Sequence, residues 1–163
     1  MSHKIHPFIF GGAQERNMRG GTENVYGIIG LAKAFELAHQ HMEEHQQHIS
    51  NLKSRMATQI KAALPGVRFN GDSLGKSLYT VLNVALPETE QAEMLLFNLD
   101  IAGIACSGGS ACSSGSNAGS HVLRAIYGSE KRPSVRFSFS KFNTAEEIDF
   151  AVERLRELYT VNA

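Results

Sequence analysis

Ser134-Val135-Arg136-Phe137-Ser138-Phe139-Ser140, followed after Lys141-Phe142-Asn143 by Thr144-Ala145-Glu146-Glu147-Ile148-Asp149, decides the fold class. Val135, Phe137 and Phe139 point one way, and Arg136, Ser138 and Ser140 the other. That alternation is the period of a half-buried strand. The period then changes. Thr144 with Glu147 three residues later spells a capping box,. Ile148, Ala151, Leu155 and Leu158 share one face of the helix it opens,. A strand and a helix that each have one apolar face must cover one another, as in a layered α+β domain.

Upstream segments extend the pattern. Leu78 to Leu86 alternates, with Leu78, Leu82, Val84 and Leu86 on one face and Tyr79, Val81 and Ala85 on the other. Both faces are apolar, as in a central strand. Val67 to Asn70 reads as a short strand and Gly71-Asp72 as a turn,. A helix containing Ala92, Leu95, Leu96 and Leu99 follows Pro87; Ile101 to Cys106 reads as a strand; Ser120 to Tyr127 is a short helix with Gly128 as its stop,.

Val25 to Leu64 is helical, because Met42, His45, Ile49, Leu52, Met56 and Ile60 step by three or four,. Thr22 is placed to cap it with Glu23 in its first turn, and Pro65-Gly66 ends it,. Such a length predicts a break near Ala38 to His41. Residues 1–24 are glycine- and arginine-rich without periodicity and read as irregular chain. The expected architecture is α+β: a long N-terminal helix, then helices packed on a small, mostly antiparallel sheet.

At 163 residues the chain is one domain, or one domain and a piece of another,. Sixteen basic residues balance sixteen acidic ones, which gives no field to gather nucleic acid or an anionic membrane,. No apolar run approaches the roughly 20 residues of a membrane span. Met1 to Pro7 holds no hydrophobic signal core,. Two cysteines six apart make no disulfide framework, which suits a reducing cytoplasm,.

The chemistry concentrates in Ile104-Ala105-Cys106-Ser107-Gly108-Gly109-Ser110-Ala111-Cys112-Ser113-Ser114-Gly115-Ser116. Glycine and serine build no core, so the segment is expected to be a solvated, mobile loop. Cys112 is then either a reactive thiol or a structural one, with His121 and Arg124 near enough in sequence to favour a thiolate,. Cys106, at the end of the expected strand, reads as a small buried hydrophobe. No further ligand set makes the two cysteines a metal pair. Arg136, opposite three apolar residues, faces solvent or a cleft, and its planar fork suits a carboxylate. Arg16, Arg19 and Thr22, beside a helix start, could form an anion site or an ordinary glycine-rich turn,. His41, His45 and His48 share a helical face, but Gln40, Glu43, Glu44, Gln46 and Gln47 around them mark a solvated surface,.

Taken together, these motifs resemble the cysteine desulfurases of the NifS/IscS type. Gly11-Gly12-Ala13-Gln14-Glu15-Arg16 through Arg19-Gly20-Gly21-Thr22 is similar to a G-G-x-Q-E-R-x-x-R-x-G-T segment of that family. Ser110-Ala111-Cys112-Ser113-Ser114 resembles its catalytic-cysteine loop, and Val135 to Ser138 with Thr144 to Asp149 its C-terminal strand and helix. The resemblance implies the small C-terminal domain of a fold-type I, pyridoxal-phosphate-dependent enzyme. It implies that L-cysteine yields alanine and a persulfide on Cys112, passed to an iron–sulfur scaffold protein or another sulfur acceptor. Arg136 matches the arginine that holds the substrate carboxylate. Thr22 matches a threonine that reaches the cofactor phosphate across a homodimer. No resident metal is implied; Cys112 would meet iron–sulfur chemistry only in transient contact.

The resemblance also has departures. Ser2-His3-Lys4 looks like the family's cofactor-lysine motif, but Ile5-His6-Pro7 follows it, so the likeness reads as coincidence. The cofactor-binding half is not matched, and Gly20 stands where serine or alanine is commoner. Residues 1–24 are therefore read as the remnant of the large cofactor-binding domain and residues 25–163 as the small domain, with the cysteine loop at 107–119. The chain alone is expected to be inactive. Its alternatives are a non-catalytic docking and sulfur-accepting module, or a related selenocysteine lyase.

Overall fold

A computed structural model describes residues 6–88, 94–108, 120–128 and 132–160, with Thr160 described by its backbone alone. The chain divides into two compact units, Met1–Met42 and Glu43–Ala163.

In the first unit, α1 (Gln14–Asn17) is a single turn whose backbone is left-handed, with φ of 49°, 57° and 66° at Glu15, Arg16 and Asn17. Such φ values are unfavourable for residues carrying a Cβ, so surrounding contacts must impose them. Gly20 supplies one: its amide donates to the Ile9 carbonyl at 2.9 Å. A Cβ at Gly20 would lie 2.7 Å from Gly11 N and 2.8 Å from both Gly11 Cα and the Phe10 carbonyl carbon. The backbones touch there, and only glycine fits. α2 (Val25–Gln40) is capped by Asn24, whose side chain accepts from Gly27 N at 3.0 Å. It buries no residue; Tyr26 and Phe35 are 91% and 72% exposed. A helix that is apolar on its sides and exposed along its length is a surface suited to contact.

In the second unit, α3 (Met42–Ala63) follows a single turn residue, His41. Ile49, Leu52, Met56 and Ile60 form its buried stripe. β1 (Arg68–Phe69), β2 (Val81–Ala85) and β3 (Ser134–Ser138) make an antiparallel sheet in the order β1-β2-β3. The β2–β3 register pairs Val81 with Ser138, Asn83 with Arg136 and Ala85 with Ser134. α4 (Leu95–Ile101), α5 (His121–Tyr127) and α6 (Ala145–Thr160) complete the described elements.

One sheet face forms the core. Leu82, Val84, Val135 and Phe137 are buried with the α3 stripe, Leu95 and Leu99 of α4, and Ile148 and Leu155 of α6. Each large apolar side chain so buried contributes about 1.5–3 kcal/mol. Lys53, on α3, is also buried, and its Nζ donates to Ser77 Oγ at 2.9 Å and to the Leu78 carbonyl at 3.0 Å. Burial lowers its pKa, an effect partly offset by Asp72,. The hydrogen bonds fasten the segment before β2 to the long helix.

Most expectations hold. The helical segment breaks at His41, and Gly66 follows α3 with φ of 81°. The capping box forms: Glu147 N donates to Thr144 Oγ1 at 3.2 Å, and Thr144 N to Glu147 Oε2 at 3.1 Å. Others are corrected. Asn24 caps α2 in place of Thr22, because the chain at Thr22 has not yet entered the helix. Ile101 ends α4, and the expected strand from Ile101 to Cys106 is replaced by a turn at Gly103 and a single bridge at Ser107, paired with Arg136. An apolar run this short fits a helix end as readily as a strand. Leu78 is 64% exposed, and Ala92 lies outside the described residues. No described helix is long and apolar enough to cross a membrane.

Across α3 and α6, Arg55 grips Asp149 with two hydrogen bonds of 2.7 Å, and Gln59 adds a third of 2.7 Å. The bonds from Arg55, then Gln59, hold the Asp149 carboxyl down at about 2,. Its contribution to stability is complete above the unfolded carboxylate pKa of about 4 and is lost as pH falls toward 2,. Urea unfolding of Asp149→Asn beside wild type is expected to show a midpoint gap at pH 6 that closes by about pH 2. A gap independent of pH would refute the assignment. A second expectation concerns Gly20. Gly20→Ala should expose its amide to hydrogen exchange about tenfold faster or more, because overpacking breaks its bond to Ile9,.

Candidate active site

The non-core sheet face carries the polar side chains. Asn83 on β2 and Arg136 on β3 are directly paired, half-buried, and on the face opposite Leu82, Val84, Val135 and Phe137. The register follows from the apolar alternation on both strands, since a one-residue slip would turn Arg136 into the core.

Arg136 is built in through its backbone. Its N donates to the Ser107 carbonyl at 2.6 Å, and Ser107 N donates to its carbonyl at 3.1 Å. Ser107 is thereby stitched to the free edge of β3. A Cβ on the next residue, Gly108, would come within 2.6 Å of Leu96 Cδ1 and 3.2 Å of the Ser134 carbonyl. The start of the cysteine segment is thus pinned beside Arg136. The Arg136 Nε is buried without a hydrogen-bond partner among the described residues. A buried cationic donor left unpaired is costly, and an anion would satisfy it.

A polar chain includes Asn83, the cross-strand partner of Arg136, and Ser134, two residues before it. Ser134 Oγ donates to the Arg132 carbonyl at 3.4 Å and accepts from Asn70 Nδ2 at 3.1 Å. Asn70 Nδ2 also donates to Asn83 Oδ1 at 2.8 Å. Sequence reasoning passed over Asn83, although an asparagine inside Val81-Leu82-Asn83-Val84-Ala85 interrupts an apolar run and is a signal in itself.

The remaining sequence candidates fall in different places. Cys112 lies outside the described residues. Cys106 is half-buried against the core, and burial, then Asp100, raises its thiol pKa. It is therefore poorly suited to act as a thiolate. His121 starts α5, which Ser120 caps through Leu123 N at 3.3 Å. Tyr127 on α5 accepts from Gly71 N at 2.8 Å, tying the helix to the turn after β1.

Thr22 belongs to the first unit and Arg136 to the second. Arg19 is engaged within its own turn. Its Nη1 donates to the Gly21 carbonyl at 2.8 Å and its Nη2 to Glu23 Oε2 at 2.6 Å. It clamps the backbone around Thr22, whose side chain is exposed. Among the described residues no group of three metal-ligating side chains could hold a metal, and His48 Nε2 is engaged with the Asn143 carbonyl at 2.9 Å.

Comparison with known proteins follows the same residues. The class-V aminotransferase family matches residues 3–150. Cysteine desulfurase IscS of Clostridium botulinum (strain Hall) is 41% identical over 158 residues, covering 95% of this chain and 40% of that protein. A cysteine desulfurase of Nostoc sp. is 39% identical over 158 residues, covering 95% of this chain and 39% of its own length. The solved structure of a NifS-like protein from Rickettsia africae superimposes with a TM-score of 0.75 at 29% identity, covering 96% of this chain and 41% of that one. The chain thus spans about two fifths of the length of these relatives. With its α+β architecture and its match along most of its length, this chain belongs to the class-V aminotransferase family.

Proposed function

We propose that this chain is the C-terminal portion of a pyridoxal-phosphate-dependent cysteine desulfurase and that Arg136 holds the substrate carboxylate. The supporting observation is the buried, unpartnered Arg136 Nε beside the anchored start of the cysteine segment. The guanidinium fork matches a carboxylate, and desolvation at Nε strengthens the bond it offers.

Cys112 is the nucleophile in this reading. It lies four residues beyond Gly108, and a trans chain of that length reaches no further than about 14 Å. Its thiolate forms a bond to the sulfur of L-cysteine as the carbon–sulfur bond breaks. The carbon takes up a proton and leaves as alanine, and Cys112 keeps the sulfur as a persulfide. A tethered thiol can then hand that sulfur to an iron–sulfur scaffold protein or another acceptor.

Thr22 fits a phosphate oxygen. Its hydroxyl makes no hydrogen bond to a described residue, and Arg19 bonds the Gly21 and Thr22 carbonyls and the Glu23 carboxylate. Bound pyridoxal phosphate would supply the electron sink for the substrate carbon. In this reading residues 1–24 end the cofactor-binding domain, residues 25–163 form the small domain, and the intact enzyme is a cytoplasmic homodimer. The exposed apolar length of α2 is consistent with such an interface,.

The isolated chain, lacking the cofactor lysine, is expected to release neither alanine nor sulfide from L-cysteine with added pyridoxal phosphate. Turnover by the chain alone would overturn the reading. In the full-length enzyme, Cys112→Ser should abolish the extra sulfur atom seen on the protein by mass spectrometry. Arg136→Gln there should raise KM for L-cysteine about tenfold or more, from loss of a charge-assisted bond. An unchanged KM would remove Arg136 from the site.

A further inference from the structure

We propose that Asn83 is a second donor to the carboxylate bound at Arg136, and that Asn70 is the positioning residue that turns its amide outward. The inference rests on the assignment of Arg136 to the substrate carboxylate.

The geometry begins with the register. Asn83 and Arg136 are directly opposed on β2 and β3. Opposed side chains of an antiparallel pair have Cβ atoms roughly 4.5–5.5 Å apart on a shared face. An anion on the guanidinium therefore has Asn83 as its cross-strand neighbour. An asparagine can offer that anion either an acceptor, which repels it, or two N–H donors, which bind it.

The hydrogen-bond chain decides which. Asn70 Nδ2 donates to the Ser134 hydroxyl oxygen at 3.1 Å. Asn70 therefore presents its nitrogen to this cluster, and its second proton goes to Asn83 Oδ1. Asn70 is itself fixed, since its backbone N donates to the Asn83 carbonyl at 2.9 Å and its carbonyl accepts from the Ser73 hydroxyl. With the Asn83 oxygen consumed, its Nδ2 donors remain for a ligand. A neutral amide adds donors without charge. The pair therefore suits a singly charged, planar carboxylate, with the fork of Arg136 on one side and Asn83 on the other.

The test is an NMR titration of the full-length enzyme, ¹⁵N-labelled at arginine and asparagine, with L-alanine as the carboxylate probe. The Arg136 Nε–H and Asn83 Nδ2–H resonances are expected to shift together with one dissociation constant. Asn83→Asp, which places a carboxylate opposite Arg136, should weaken binding about tenfold or more. Asn70→Ala should diminish the Asn83 shift while the backbone amide spectrum and the Arg136 shift persist. If Arg136 titrates while Asn83 stays still, or Asn83→Asp binds as wild type, the Asn83 proposal is overturned and Arg136 keeps its role. If the Arg136 resonance does not move, both assignments fall. The wild-type resonances answer the question even where a variant fails to fold.

Discussion

The antiparallel pairing of β2 with β3 is the constraint on which the second unit depends. Its register joins Val81–Ala85 to Ser134–Ser138 residue by residue. Because successive side chains alternate across a sheet, one set of pairs does two jobs at once. It sends Leu82, Val84, Val135 and Phe137 into the core, and it sets Asn83 beside Arg136 on the opposite face. A slip of one residue would bury the guanidinium and expose four core side chains together. The core therefore enforces the geometry of the site without touching it.

Further segments are pinned to this pair. Ser107 is bridged to Arg136, and Gly108 fits closely against Leu96 and the Ser134 carbonyl. The chain at Ser107 and Gly108 is thus held beside Arg136, whose Nε is buried. α3 and α6 support the sheet from the core side, joined at their surfaces by Arg55, Gln59 and Asp149. The first unit is organised differently. A left-handed turn, a glycine–backbone contact and the Arg19 clamp fix the chain around Thr22. None of these relies on a hydrophobic core.

Arg19 and Gly20 show that residue type alone leaves a motif residue's role open. An arginine beside glycines and a threonine suggests an anion ligand, yet its guanidinium is taken up by backbone carbonyls and Glu23. Gly20 counts as a minor departure from the family pattern in sequence, but its Cβ would strike backbone atoms. Cys106 likewise sits in the segment that attracts attention, and its half-buried, desolvated thiol is the wrong kind of group for a nucleophile,.

Periodicity alone determined the α+β class, the buried stripe of α3, the alternation of β3, the capping box of α6 and the break at His41, because each is a local pattern of apolar spacing or of cap chemistry,. The motifs also marked Arg136, Thr22 and Cys112 as candidates. Tertiary structure alone decided that Asn24 rather than Thr22 caps α2, that the residues before Ser107 form a turn and a bridge instead of a strand, and that Asn83 stands across from Arg136. The last two depend on strand register and on partners distant in sequence, whereas the cap depends on where the backbone enters the helix. Asn70 and Ser134 meet only when β1, β2 and β3 are assembled, and no local pattern encodes that meeting.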